Sequence, residues 1–251
     1  MKIKDGIYIE KEASFAIILE KYHAFQMAYE ILKDYGGITN LSKELNPFWG
    51  QEIMYFDYKW NSYVILSATG SPCAANAVER AKRTGVKKIV SFGTCGSLSE
   101  SINPGTFIIS LAAVRDEGTT IGYLDLKVPS VADLKTSLDL KEALLSLNHT
   151  PLIGTTFTTD KRYKEKQDEF EQLFSSANVL NVDMETASLI LVSRYHKIPI
   201  AAFNLVTDCA VTKTEGEFKG TYKGEEEYTD FIFTNLQVAL SAALATLSND
   251  N

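Results

Sequence analysis

The chain has 251 residues, 45% of them hydrophobic and 23% charged, with a formal net charge of −7. That is ordinary globular composition, enough for one α/β domain with a sizeable core spanning residues 1–251. The acidic balance argues against a nucleic-acid surface, because phosphate backbones need a basic patch. The three cysteines, Cys73, Cys95 and Cys209, are odd in number and widely spaced. They argue against a disulfide framework or a zinc site and fit a reducing cytoplasm. Lys11, Glu12 and Glu20 interrupt any signal-peptide core, and no apolar run reads as long enough to cross a membrane.

In chain order, Met1 to Glu12 reads as a polar surface arm and Phe15 to Leu19 as a short buried strand. Tyr22 to Asp34 carries Phe25, Ala28, Tyr29 and Leu32 on one helical face and closes at Gly36 and Gly37. Asn46 to Gly50 is a turn, followed by strands Gln51–Tyr58 and Ser62–Thr69 joined at Trp60–Asn61. Gly70 turns the chain, Ser71 suits an N-cap and Pro72 the first helical position, and the helix ends at Gly85. Val86 to Phe92 is a strand, with the glycine-bracketed turn Gly93–Ser97 (GTCGS) directly after it. Such a turn exposes backbone N–H groups and admits a ligand closely. Asn103–Gly105 turns into a strand from Thr106 to Val114. Ser137–Leu147 is helical, Pro151–Thr158 is a strand, and a charged helix begins in TTDKRY (Thr158–Tyr163) and runs to Phe174.

The stretch from Ala177 to Val211 organises the rest. It reads as a strand (Val179–Val182), the acids Asp183 and Glu185 around Met184, a helix (Thr186–His196), and a second strand from Ile198 to Val206 that ends at Thr207 and Asp208. Pro199 cannot continue the helix. Acids at strand ends lie where open α/β sheets bind ligands. A polar loop follows, Lys213 to Glu227, and then an amphipathic helix, Glu226 to Leu247, whose leucine stripe reads as core. Strands alternating with helices imply a largely parallel or mixed sheet covered on both faces.

VDMETA (Val182–Ala187) and VTD (Val206–Asp208) resemble motifs of the nucleoside phosphorylase/uridine phosphorylase superfamily. GSPCAANAVE, KKIVSFGTCGSL, VRDEGTT with VPSVAD, and TTDKRY extend the likeness over nearly the whole chain, with VRDEGTT, VPSVAD and TTDKRY especially like the uridine phosphorylase branch. The resemblance implies a three-layer α/β/α sandwich with a central mixed, partly barrel-like sheet. It also implies a homodimer or homohexamer whose sites are often completed by a neighbour. By that likeness Met184 packs under a ribose, Glu185 takes its hydroxyls, and Asp208 is the catalytic acid toward a purine base. A carboxylate suits two adjacent hydroxyls on chemical grounds as well. Cys95, Gly96, Arg162, Val182 and Asp183 fall around the base, and Tyr163 borders sugar or base. Thr94, Ser91, His23, Lys21 and Glu20 fall at the phosphate or acceptor side. No cofactor or metal is implied; inorganic phosphate is the co-substrate.

Three departures stand out. The Gly-Asp-Pro-x-Arg turn after the first strand is replaced by LEKYHAF (Leu19–Phe25), and Ser91 stands where an arginine precedes the GTCG segment. Ser does not replace a bidentate guanidinium. The uracil-reading Gln and Arg are replaced by Lys166 and Asp168, and the stacking aromatic by Arg162, which leaves Asp208 as the base-side group. Three readings stay open: phosphorolysis of a purine nucleoside; hydrolysis by water, with Glu20 the nearest activating acid; and nucleoside binding without catalysis. His149 and His196 read as satisfied structural histidines.

Overall fold

A computed structural model describes residues 2–4, 7–9, 11–45, 52–161, 167–212 and 224–248. Along the chain run β1 (Lys2–Lys4), β2 (Ile7–Ile9), β3 (Phe15–Leu19), α1 (Tyr22–Asp34), β4 (Thr39–Leu45), β5 (Glu52–Tyr58), β6 (Asn61–Ser67) and α2 (Ser71–Thr84). Then come β7 (Lys88–Ser97), β8 (Phe107–Asp116), β9 (Ser130–Val131), α3 (Leu134–Ser146), β10 (Leu152–Thr159) and α4 (Gln167–Ala177). Last are β11 (Val179–Asp183), α5 (Thr186–Tyr195), β12 (Ile200–Cys209) and α6 (Glu225–Ser248).

The large sheet has the order β11-β10-β8-β12-β7-β3-β6-β5-β4, with β9 on β8. It is mixed. β3 lies parallel to β6 and β7, and β12 parallel to β7, while β12 and β8 are antiparallel. β11 also folds back onto β7 through Asn181↔Ser97 and Val182↔Gly96, which closes β7, β12, β8, β10 and β11 into a barrel. This is the α/β/α sandwich with a partly barrel-like sheet.

Side-chain alternation along β3 sends its residues into the two largest core clusters. Phe15, Ile17 and Leu19 of β3 pack with Phe25 and Leu32 of α1, Leu140 and Leu144 of α3, and Leu236, Leu240 and Leu244 of α6. Ala16 and Ile18 point the other way, to Ala74, Val78 and Ala81 of α2 and Leu189, Ile190 and Val192 of α5. By length and composition α6 is long and apolar enough to cross a membrane, against the sequence expectation. Its leucine stripe is nonetheless packed into the core, as its 3.6-residue period implies.

Several local expectations change. The N-terminal arm contains the antiparallel hairpin β1–β2. The β5–β6 hairpin turns at Lys59–Trp60, both at positive φ (46° and 67°), one residue earlier than read, and β4 adds an edge strand that its polar sequence hides. Gly70, not Ser71, caps α2; its φ of 79° is a conformation glycine tolerates best, and Ser71 opens the helix. Gly93–Ser97 is not a turn. It continues β7 as a strand, held by β12 up to Ser97↔Cys209 and by β11. Its backbone groups on those edges are therefore in ladders and not presented to a ligand. Asp208 likewise lies inside β12, just after a register shift between Val206 and Asp208. Asn46–Gly50 and residues 213–223 of the expected loop lie outside the described residues.

Candidate active site

The barrel closure and the β11–α5 junction build the site. Asp183 ends β11 and is taken up by its neighbours. Thr158 Oγ1 donates to Oδ1 at 2.7 Å, and Thr186 N–H and Asn204 Nδ2 donate to Oδ2 at 3.2 and 3.0 Å. It thus caps the opening turn of α5, helped by Thr158 Oγ1, which accepts from Ala187 N–H at 3.0 Å. Asp183 is a buried positioning group, and these contacts account for it without a base. Its carboxyl is pushed up by burial and pulled back down by the three donors.

Glu185 is 6% exposed and bridges two segments. Its Oε1 accepts from Gly70 N–H at 2.6 Å and its Oε2 from Met184 N–H at 3.0 Å. Ser71 Oγ donates to Met184 O at 2.8 Å, so the β6–α2 turn is tied to the Met-Glu pair from both sides. Met184 itself is partly exposed. Each Glu185 oxygen keeps a second lone pair, which is what a vicinal diol needs.

Glu20 directly follows β3 and is 2% exposed. Neither carboxyl oxygen has a hydrogen-bond partner. A Cβ built on Gly93 would overlap this carboxyl outright and lie 2.8 Å from Asn204 Oδ1. Gly93 is therefore the residue that lets Glu20 lie on β7. Ligand oxygens of Glu20, Asp183 and Glu185 all fall within 4.8 Å of one another. The sequence names Glu20 as the nearest acid on the acceptor side but does not place it beside Glu185. The signal that joins it to Glu185 is the parallel pairing of β3 with β7, Leu19↔Phe92, which one sequence does not show.

We expect Gly93→Ala to displace Glu20, lowering thermal stability and activity together. Glu20→Ala in the same chain should recover part of the melting temperature. Additive losses in the double variant would show that the two do not share space.

The remaining site residues divide clearly. Asp208 is 7% exposed, with Thr207 Oγ1 donating to its Oδ1 at 2.8 Å. Cys95 is buried on β7: burial first, then Asp183, Asp208 and Glu20, hold its thiol well above the usual range and so neutral. Val182 is core, packed with Phe157, Phe170 and Ala210, and its Cγ1 lies 3.5 Å from where a Gly96 Cβ would be. Ser91 is fully buried on β7 between Ile18 and Ala202, its Oγ without a partner. Thr94 is half-buried on the same strand. Lys21 Nζ donates to Tyr228 OH at 3.3 Å, and His23 is exposed on the first turn of α1. Arg162, Tyr163 and Lys166 lie outside the described residues; Asp168 is exposed at the start of α4.

Burial, and then Asp183, push the Glu185 carboxyl up to about 7 against the Gly70 and Met184 N–H groups and Lys21, which lower it. Burial, then Glu185 and Asp183, push Glu20 well up; Lys21 opposes them. The folded value for Glu185 exceeds its ordinary 4.5, so the native state holds the extra proton between about pH 4.5 and 7. This stability is fully present below that window and is lost as pH rises through it. We expect urea-unfolding stability in chelator to fall by roughly 2–3 kcal/mol between pH 5 and 8. Glu20→Gln should flatten the slope. Stability rising over that interval would contradict the buried acidic cluster.

A mixed sheet partly closed into a barrel, with a Met-Glu pair at a strand–helix junction and acids around it, defines a phosphorylase-type α/β fold. The sequence profile of the phosphorylase superfamily matches residues 37–247, and the chain belongs to this superfamily. It is 27% identical over 182 residues to a guanosine phosphorylase of Halorubrum lacusprofundi, covering 72% of this chain and 75% of that one. It is 29% identical over 142 residues to the uridine phosphorylase of Escherichia coli, where it spans 56% of the relative's length. A DeoD-type purine nucleoside phosphorylase of Buchnera aphidicola is 31% identical over 156 residues, 62% of this chain and 64% of that one. The crystal structure of uridine phosphorylase from Vibrio fischeri ES114 shares the fold, with a TM-score of 0.75 at 20% identity over 94% of this chain and 92% of that one.

Proposed function

We propose that the protein cleaves the N-glycosidic bond of a purine nucleoside with phosphate as acceptor, releasing free base and ribose 1-phosphate. The observation that carries this reading is the fixed Met184–Glu185 junction, whose buried carboxylate is aimed by Gly70 and Met184 N–H groups. In this reading Glu185 accepts the ribose hydroxyls and Met184 packs beneath the ring. The bond breaks as positive charge builds on the sugar, and the surrounding carboxylates stabilise that charge where it develops. Asp208 supplies a proton to the departing purine at N7, so the bonding electrons leave with a neutral base. A phosphate oxygen then attacks the anomeric carbon. Guanosine and DeoD-type purine phosphorylases among the relatives support the purine preference.

Hydrolysis is a second reading with an observation of its own. Glu20 lies on Gly93 with both oxygens unbonded, and Ser91 offers no cation beside it. Once ionised, a carboxylate held there accepts a proton from water and repels a phosphate dianion. Incubating guanosine, inosine, adenosine and uridine with and without phosphate, and separating ribose 1-phosphate from ribose, tests both. Phosphate-dependent release from purine nucleosides is expected. Phosphate-independent release with free ribose favours water, and turnover of uridine alone removes the purine assignment.

A further inference from the structure

Cysteine and histidine spacing gives no metal site, but carboxyls brought together from separate segments form a different ligand set. Glu20 follows β3, while Asp183 and Glu185 flank the β11–α5 junction, and their ligand oxygens all lie within 4.8 Å of one another. A cluster of acids alone would say little. A second group points to a ligand. Asn204 on β12 is fully buried; its Nδ2 is committed to Asp183, and its Oδ1 has no partner. That amide oxygen approaches the same point above Gly93 as the Glu20 carboxyl, which is also without partners.

We propose that Glu20, Asp183, Glu185 and the Asn204 amide oxygen bind a hard divalent cation. Every donor is oxygen, the set that Ca²⁺, Mn²⁺ and Mg²⁺ prefer and that copper or zinc do not select. Oxygens on opposite sides of Ca²⁺ stand about 4.6–5.2 Å apart and those around Mg²⁺ about 4.0–4.2 Å. A cluster spread over no more than 4.8 Å therefore admits either ion, with the looser Ca²⁺ geometry demanding less of the buried backbone. Asp183 Oδ1 and the two Glu185 oxygens each accept one donor and retain a lone pair, so Asp183 and one Glu185 oxygen can face the ion while the other Glu185 oxygen faces a ribose hydroxyl. A cation here also replaces like-charge repulsion among three buried acids by attraction.

The consequence for catalysis rests on the phosphorolysis reading. An ion at Gly93 would supply the positive charge that Ser91 and the LEKYHAF segment lack, so phosphate would meet a metal where relatives by motif have arginine. The site itself is testable without any nucleoside. Chelator-treated protein is titrated with MnCl₂ at neutral pH while the electron paramagnetic resonance of free Mn²⁺ is followed, and CaCl₂ is then added as competitor. We expect one Mn²⁺ per chain, displaced by Ca²⁺, and binding weakened at least tenfold in Glu20→Gln. Asn204→Ser, checked for folding by circular dichroism, should weaken it as well. No Mn²⁺ bound, with a melting temperature indifferent to Mn²⁺, Ca²⁺ and Mg²⁺, would overturn the site and leave a shared proton as the occupant. Binding unchanged in a folded Glu20→Gln protein would overturn it too. A chain that binds Mn²⁺ but cleaves no nucleoside fails only the functional reading. Full activity in chelator without bound metal fails only the ion's part in catalysis.

Discussion

Asp208→Asn should lower kcat/KM for purine nucleosides by about 10²–10⁴-fold, the usual worth of a positioned proton donor. Asn keeps the size of the side chain and can still bond Thr207, whose hydroxyl lies 2.8 Å from the carboxyl. The loss is therefore chemical and not structural, and melting should stay close to wild type. The loss should concentrate on substrates whose base leaves only when protonated, and a nucleoside with a pre-activated leaving group should be spared. Steady-state kinetics on both kinds of substrate check this. Equal losses on both would show that Asp208 orients the site and does not donate.

Glu185→Gln should cost roughly a hundredfold in kcat/KM, since hydrogen bonds to a charged group are worth about 1.5–3 kcal/mol each. The amide keeps one acceptor, so either Gly70 N–H or Met184 N–H faces an NH₂ group, a local penalty of about 1–3 kcal/mol. Removing a buried acid offsets that penalty at pH 8, where the raised pKa works against the fold. The variant should remain folded, with its defect in turnover. Nucleosides lacking one ribose hydroxyl should distinguish wild type from variant least. Turnover within about twofold of wild type would remove Glu185 from the sugar site.

The elements were legible where periodicity was strong. FAIIL, the α2 helix closed by Gly85 and the strand–helix–strand unit from Val179 to Cys209 all form close to the positions their residues dictate. The Met184–Glu185 junction was legible because its motif is local. What escaped depends on partners distant in sequence. Gly93–Ser97 looks like a glycine turn, yet β11 and β12 pair with it and draw it out as strand. Asp183, read toward a base, is consumed by Thr158, Thr186 and Asn204, three residues no local pattern groups with it. Glu20 gave the weakest signal of all. Only the β3–β7 pairing carries it to Gly93 and Glu185, and burial then changes its chemistry.

That placement also reshapes the acceptor question. The sequence shows two arginines missing; the fold adds a carboxyl lying on Gly93 beside the gap. Both bear on one quantity, the fate of the anomeric carbon. Its most direct measurement is the product of a single-turnover reaction with a purine nucleoside in ¹⁸O-labelled water and inorganic phosphate. The account predicts unlabelled ribose 1-phosphate, formed only when phosphate is present. ¹⁸O-labelled free ribose, formed at the same rate without phosphate, would contradict it.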